Sequence, residues 1–299
     1  MSIGSDGGGS IRGPSAFCNL VGVKPSMGRV PLWPGCRDAR YPGFSSWESL
    51  EHIGPMTRTI EDAALVLSVI AGPDMRDRHS IPQDVDWLGS LTRPLPKLRI
   101  AYSEDFGYLD VDPEVRRVFR EAMAAFTDAV GAAAERIDPE WGDTMPLFRV
   151  LVAADSDLSA MRKWLPLHRD RMSVHLREML ERDYSAEDFT DARRKRQEVC
   201  MMAQKLMARC DIFLSPTQGM LPFDVELQAP PVGKSGSFAH VFNLTGQPAA
   251  NMPAGFSRDG LPVGIQIVAR HLDDGLLVRA CKAFQDAVPL HTRQPSLPC

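Results

Sequence analysis

Ser10 stands behind three glycines and an aspartate and ahead of an arginine, in the run Gly4-Ser5-Asp6-Gly7-Gly8-Gly9-Ser10-Ile11-Arg12. Glycine takes the positive φ that turns successive peptide N–H groups toward one point. The amides of Gly7, Gly8, Gly9 and Ser10 are therefore expected to form a cradle for a developing oxyanion, with the Ser10 hydroxyl as attacking group. That is the equipment for acyl transfer. The apolar segment from Ser10 to Leu20 places the hydroxyl at the N-terminus of an expected helix, where negative charge is favoured. Asp6 and Arg12 flank it, and because the arginine fork matches a carboxylate, an ion pair between them is expected to clamp the loop.

Other chemistries fit the sequence less well. A phosphate-binding loop needs Gly-Lys-Ser/Thr after its glycines, and the dinucleotide fingerprint needs glycines at set offsets; neither pattern is present. A Ser-His-Asp hydrolase of the Gly-x-Ser-x-Gly kind is excluded by Ile11 and Arg12 after the serine. His168 and His175 lie one heptad apart on an expected helix, but no carboxylates at ligand spacing accompany them, so they read as surface or pocket-lining residues and no metal is expected. The basic run Arg193-Arg194-Lys195-Arg196 is surrounded by Glu187, Asp188, Asp191 and Glu198 and reads as a solvated helix face. Met201, Met202, Leu206 and Met207 read as core or pocket wall.

The elements that must hold the loop alternate between strand and helix periods, which predicts an α/β layer architecture. Thr59 caps a helix running to Ala71, with Gly72 as its stop. Leu98–Tyr102 reads as a strand, followed by a helix starting at Asp112-Pro113 whose Val115, Val118, Phe119, Ala122, Met123 and Phe126 recur every three or four residues. Ile212–Thr217 and Val263–Ala269 read as strands, and Asp273 or Asp274 caps a last helix to about Ala287.

The Ser10 run, continued through Gly13-Pro14-Ser15-Ala16-Phe17-Cys18 and Gly22-Val23-Lys24-Pro25-Ser26-Met27-Gly28-Arg29-Val30, resembles the amidase signature family. The similarity returns at His52–Ala64, Phe242–Pro248 and Gly260–Ile267, and thins between about Gly142 and Gly236, the stretch in which family members carry substrate preference. The resemblance implies a large twisted mixed β-sheet wrapped by helices, with residues 1–299 forming one domain that corresponds to the C-terminal, larger part of the family fold and 142–236 a variable substrate-cleft region within it. It places Pro216 and Thr217 at the cleft rim. It also implies a Ser-Ser-Lys triad in which Ser10 is the nucleophile. The second serine, in a cis peptide, and the lysine precede this motif in family members, and only Met1, Ser2 and Ile3 precede Gly4 here, so weak activity is expected of these residues alone. Lys24 matches a Gly-x-Lys-Pro turn and not the catalytic lysine. Two positions depart from the usual pattern: Gly7 stands where Thr or Ile is commonest, and Gly13 replaces a larger apolar residue. The implied function is hydrolysis of a small carboxamide or anilide. The alternatives are an A-type subunit of an aminoacyl-tRNA amidotransferase, against which Thr217–Gln228 lacks an arginine for glutamine's carboxylate, and a non-catalytic relic or partner-binding fragment.

Composition agrees with a small-molecule partner. The 34 Lys and Arg against 38 Asp and Glu give a net charge of −4, no footprint for nucleic acid or an anionic membrane. The six cysteines (Cys18, Cys36, Cys200, Cys210, Cys281, Cys299) lack paired spacing and are expected to be reduced. No signal peptide and no spanning apolar run is read, so a cytoplasmic protein without cofactor is expected, with a homodimer or a separate N-terminal half as the possible protein partners.

Overall fold

The computed structural model describes residues 1–33, 47–227 and 236–293. Eight strands form one sheet: β1 (Ser2–Asp6), β2 (Val21–Lys24), β3 (His52–Thr57), β4 (Ile100–Tyr102), β5 (Ala134–Arg136), β6 (Ile212–Pro216), β7 (Ala249–Phe256) and β8 (Pro262–Ala269). Their spatial order is β1-β3-β2-β7-β8-β6-β4-β5. Neighbours from β1 through β6 run antiparallel, and β6, β4 and β5 run parallel, so the sheet is mixed as expected.

The long helices form for the reasons legible in the chain. In Pro113–Val130, Asp112 accepts a hydrogen bond from the Glu114 amide, proline occupies the first turn, and Gly131 ends the helix at φ 63°. Its buried stripe is Val115, Val118, Phe119, Ala122 and Phe126. Ile60–Ile70 is capped by Thr59, whose side chain accepts from the Asp62 amide. Both pack with Asp274–Ala287, capped by Asp273, and Phe126 meets Phe284 with ring centroids 5.6 Å apart. Each fully buried phenylalanine contributes roughly 1.5–3 kcal/mol.

Strand pleating decides which side holds the nucleophile loop. On β8, Gly264 faces the short helix Arg12–Phe17, since a Cβ there would lie 2.7 Å from Ala16 Cβ. Gln266, two residues on, points to the same side, while Val263, Ile265 and Ile267 point to the other. This alternation delivers one polar side chain, Gln266, beneath the loop from an otherwise apolar strand.

Several local expectations are corrected. The helix after Ser10 spans Arg12–Phe17 and not the stretch to Leu20, and Ser10 sits in the turn before it. His168 ends the helix Leu165–His168 and stacks on Trp164, whereas His175 belongs to the separate helix Val174–Glu181. In the basic run, Arg194 and Lys195 pair with Asp191 on the surface, but Arg196 turns inward and donates to the carbonyls of Leu244 and Ser49, both at 2.7 Å. Leu206 and Met207 are core, while Met201 is exposed. The described cysteines 18, 200, 210 and 281 are free thiols; Cys36 and Cys299 lie outside the described residues. Among the described residues no helix is long and apolar enough to cross a membrane.

Candidate active site

The loop from Gly7 to Ile11 is built around the Asp6 carboxylate. Asp6 Oδ1 accepts the Gly9 N–H at 2.7 Å, and Oδ2 accepts the Ile11 and Arg12 N–H groups at 3.3 and 3.4 Å. Arg12 grips the same carboxylate through Nε to Oδ2 and a terminal nitrogen to Oδ1, both at 2.9 Å, and both side chains have zero exposure. The expected clamp is thus present, buried and bidentate. The rest of the guanidinium is also satisfied: it donates to the Ala239 carbonyl at 2.9 Å, Gln266 Oε1 at 2.7 Å and Asn243 Oδ1 at 2.6 Å. Asn243 closes the ring by donating to the Asp6 carbonyl at 2.5 Å and to Oδ1 at 2.9 Å. A buried ion pair survives desolvation only when its remaining lone pairs and protons find partners, which these amides supply.

Burial pushes the Asp6 carboxyl up, but the charge and hydrogen bonds of Arg12, the charge of Lys24 and the Asn243 amide overcome it and hold the group below the usual carboxylate range. Lys24 is itself buried, donating to the Gln247 carbonyl at 2.6 Å; burial and the Arg12 charge hold its ammonium well below its ordinary value. His52, paired with Asp6 across β1 and β3, is kept neutral by burial and by Lys24.

The bond from Gly9 to Asp6 corrects one sequence expectation, because that amide is consumed inside the loop and is turned away from any oxyanion. The amides of Gly7, Gly8 and Ser10 have no acceptor among the described residues. Ser10 is exposed, and no described side chain hydrogen-bonds its hydroxyl. Gly9 is instead needed for shape: its φ is +119°, and a Cβ would come 2.6 Å from Ala239 Cβ. Gly9→Ala is expected to cost roughly 2–4 kcal/mol, combining the left-handed backbone penalty with overpacking. Chemical denaturation of the two proteins measures this directly.

Aromatic rings back the other two glycines. A Cβ on Gly7 would lie 2.2 Å from Trp47 Cε3, and one on Gly8 would lie 2.6 Å from Phe148 Cζ. The two rings meet edge to face, 6.4 Å between centroids. Phe148 also packs on His240 at 5.5 Å, whose Nε2 is 2.8 Å from Thr144 Oγ1. Sequence reasoning missed Trp47, Phe148, Asn243 and Gln266. The last two carried a signal, as polar amides set among apolar residues in the segments Phe242–Pro248 and Gly260–Ile267.

Pro216 and Thr217, expected at the cleft rim, are buried at the end of β6, where Thr217 Oγ1 donates to Asn251 Oδ1 at 2.6 Å. Two further half-buried residues lie beside this region: Gln218, whose amide nitrogen would lie 2.6 Å from a Cβ on Gly13, and Ser237, which bridges to Gln218.

His240 makes this wall sensitive to acid. Burial lowers its pKa to about 4, with Asp143 offsetting only part of the shift. The unfolded chain therefore binds a proton near pH 6.5 that the folded chain refuses until about pH 4, so stability is complete above about 6.5 and falls as the pH drops through that window. The expected loss is about 3 kcal/mol at full protonation of the unfolded state. Urea denaturation at pH 7 and pH 4.5 should show it, and His240→Gln should flatten the difference.

A serine on an amide-lined loop, locked by a buried Asp–Arg pair to the centre of a mixed sheet, is the arrangement that the family comparison decides. The Amidase family model matches residues 1–278. The chain belongs to the amidase signature family. It is 32% identical over 320 residues to an acylamidase of Rhodococcus erythropolis, an alignment covering 99% of this chain and 63% of the relative. It is 31% identical to the A subunit of the glutamyl-tRNA(Gln) amidotransferase of Bacillus velezensis, covering 99% and 65%. Among solved structures it superposes on a bacterial aryl acylamidase with a TM-score of 0.83 at 26% identity, covering 98% of this chain and 64% of that one. The chain therefore spans a little under two thirds of the length of these relatives. The mixed sheet and its helices are the family fold, and the family acts on amides.

Proposed function

We propose that this chain carries the nucleophile half of an amidase that hydrolyses a small carboxamide or anilide through an acyl-enzyme on Ser10. The single observation that carries the reading is the loop itself. Three amides, those of Gly7, Gly8 and Ser10, are left without acceptors among the described residues beside an exposed serine hydroxyl, while the polar groups of the loop's anchor are consumed by the Asp6–Arg12 network. In this reading Ser10 Oγ attacks the carbonyl carbon and the oxyanion is received by those amides. The leaving amine departs with a proton, and water then releases the acid.

The hydroxyl needs a base. The family's lysine and cis-peptide serine are proposed to fill that role from a segment preceding the motif, with the lysine neutral through burial. The 299 residues alone are accordingly expected to hydrolyse amides only at the residual level that an oxyanion site sustains without its base, a loss of orders of magnitude. The test is to supply an upstream segment bearing a lysine and a Gly-Gly-Ser-Ser-Gly-Gly run, and to treat both forms with a fluorophosphonate probe. Labelling of the longer form at Ser10, with little on the shorter, supports the reading; labelling at any other residue overturns it.

A second reading, the glutaminase component of an amidotransferase, is favoured by the similarity to the amidotransferase relative from Bacillus velezensis. It predicts ammonia release from glutamine by the longer form and co-purification with a second protein chain. The described residues of the Thr217–Leu227 stretch contain no arginine or lysine to meet glutamine's carboxylate, which favours the simple amidase.

A further inference from the structure

We propose that Trp47, whose ring covers Gly7, together with Phe148 makes the site selective for amides flanked by an aromatic ring. The proposal rests on the amidase reading above and deepens it.

The geometry is direct. A Cβ on Gly7 would sit 2.2 Å from Trp47 Cε3 and 2.6 Å from Cζ3, so the six-membered ring of the indole occupies the space a larger residue would fill. Phe148 does the same over Gly8. Gly7 and Gly8 are also two of the three residues whose amides lack an acceptor among the described residues, and in the proposed site a carbonyl held by them rests its substituent against these two rings. Neither ring is fully buried.

The wall is also anchored. Trp47 adopts φ 39°, a left-handed conformation that a bulky residue takes only when its surroundings hold it there. Its carbonyl accepts from the Leu50 and Glu51 amides, both at 2.8 Å. Phe148 rests on His240, and the His240 carbonyl accepts from the Asn243 and Leu244 amides, which ties the wall to the side chain that holds Asp6. A flat ring stacked or edge-on to two rigid aromatics gains favourable quadrupole contacts. The zwitterionic end of glutamine would instead be desolvated against hydrocarbon, at a large cost.

The experiment uses the 299-residue chain and needs no turnover. Binding of benzamide, acetanilide, acetamide and L-glutamine is followed by the amide resonances of Gly7, Gly8 and Ser10 and by titration affinity. The expected result is that benzamide or acetanilide moves those resonances and binds more tightly than acetamide, and that Trp47→Ala weakens the aromatic ligand about tenfold while leaving acetamide unchanged. Whichever of the two aromatic amides binds more tightly tells whether the acyl or the amine side rests on the wall. Trp47→Phe should restore most of the affinity, and thermal melts of both variants check that the fold is kept. A Trp47→Ala protein that is folded and binds benzamide and acetanilide as the parent does overturns this inference alone. If none of the four ligands moves the three resonances, the amidase reading of the loop falls with it. Glutamine binding more tightly than both aromatic amides overturns the selectivity and favours the glutaminase.

Discussion

Ser10→Ala should lower amide hydrolysis by the longer form proposed above by roughly 10⁴- to 10⁶-fold, the scale on which loss of a nucleophile disables a group of residues acting as one unit. The hydroxyl has no hydrogen-bond partner among the described residues and lies on an exposed turn, so its removal leaves no buried group unpaired. Stability should be unchanged within about 0.5 kcal/mol, as for surface substitutions generally. Ligand affinity should also persist, because the amides of Gly7, Gly8 and residue 10 belong to the backbone. The loss should therefore appear in kcat with KM little altered, measured by release of a chromogenic aniline. Full turnover by the alanine variant would remove Ser10 from the chemistry.

Arg12→Met should cost the fold about 3–5 kcal/mol, the range for breaking one member of a buried ion pair. The substitution leaves the Asp6 carboxylate buried without its counter-charge and strips a donor from the Ala239 carbonyl, Gln266 and Asn243. The melting temperature should fall by about 10 °C, given about 2–4 °C per kcal/mol for a chain of this order of size. The pH dependence identifies the cause. In the parent, Asp6 is depressed, so its stabilisation is present above the ordinary carboxylate value near 4 and disappears as the pH falls through the lower folded value. In the variant, burial acts without the largest opposing influence and the carboxyl becomes easier to protonate. The deficit relative to the parent should consequently shrink as the pH is lowered from 7 toward 4. A double change of Asp6→Asn with Arg12→Met should cost less than the two single changes together.

The framework was legible because it rests on local signals. Thr59, Asp112 and Asp273 cap their helices as their types and positions imply, and the stripe from Val115 to Phe126 is buried at helical spacing. The Asp6–Arg12 pair was legible from residue types six apart. What escaped was settled by tertiary packing. The sequence offers no means of telling that the Gly9 amide serves the Asp6 carboxylate, because four glycine and serine amides in a row are chemically equal until a carboxylate selects one. Pro216-Thr217 reads as a turn after a strand, yet the Thr217 hydroxyl finds Asn251 on β7, beyond the adjacent β8, and the chain stays buried for one more residue. Trp47 lies 40 positions from Gly7, and only the fold brings its indole onto the loop. Arg196 was assigned to the solvent by its neighbours, while two distant carbonyls draw it inward.

The partners of Arg12 lie far along the chain: Ala239, Asn243 and Gln266 are separated from it by 227, 231 and 254 residues. Contacts of such sequence separation form late, after the loop-closure entropy has been met. During synthesis, the turn that carries Ser10 thus leaves the ribosome well ahead of β8 and is given its shape only once that strand has docked. A ribosome-bound chain ending before residue 266 would hold the Ser10 turn without the Gln266 acceptor beneath Arg12, so under the proposed function the amide cradle would take its form only with completion of the sheet.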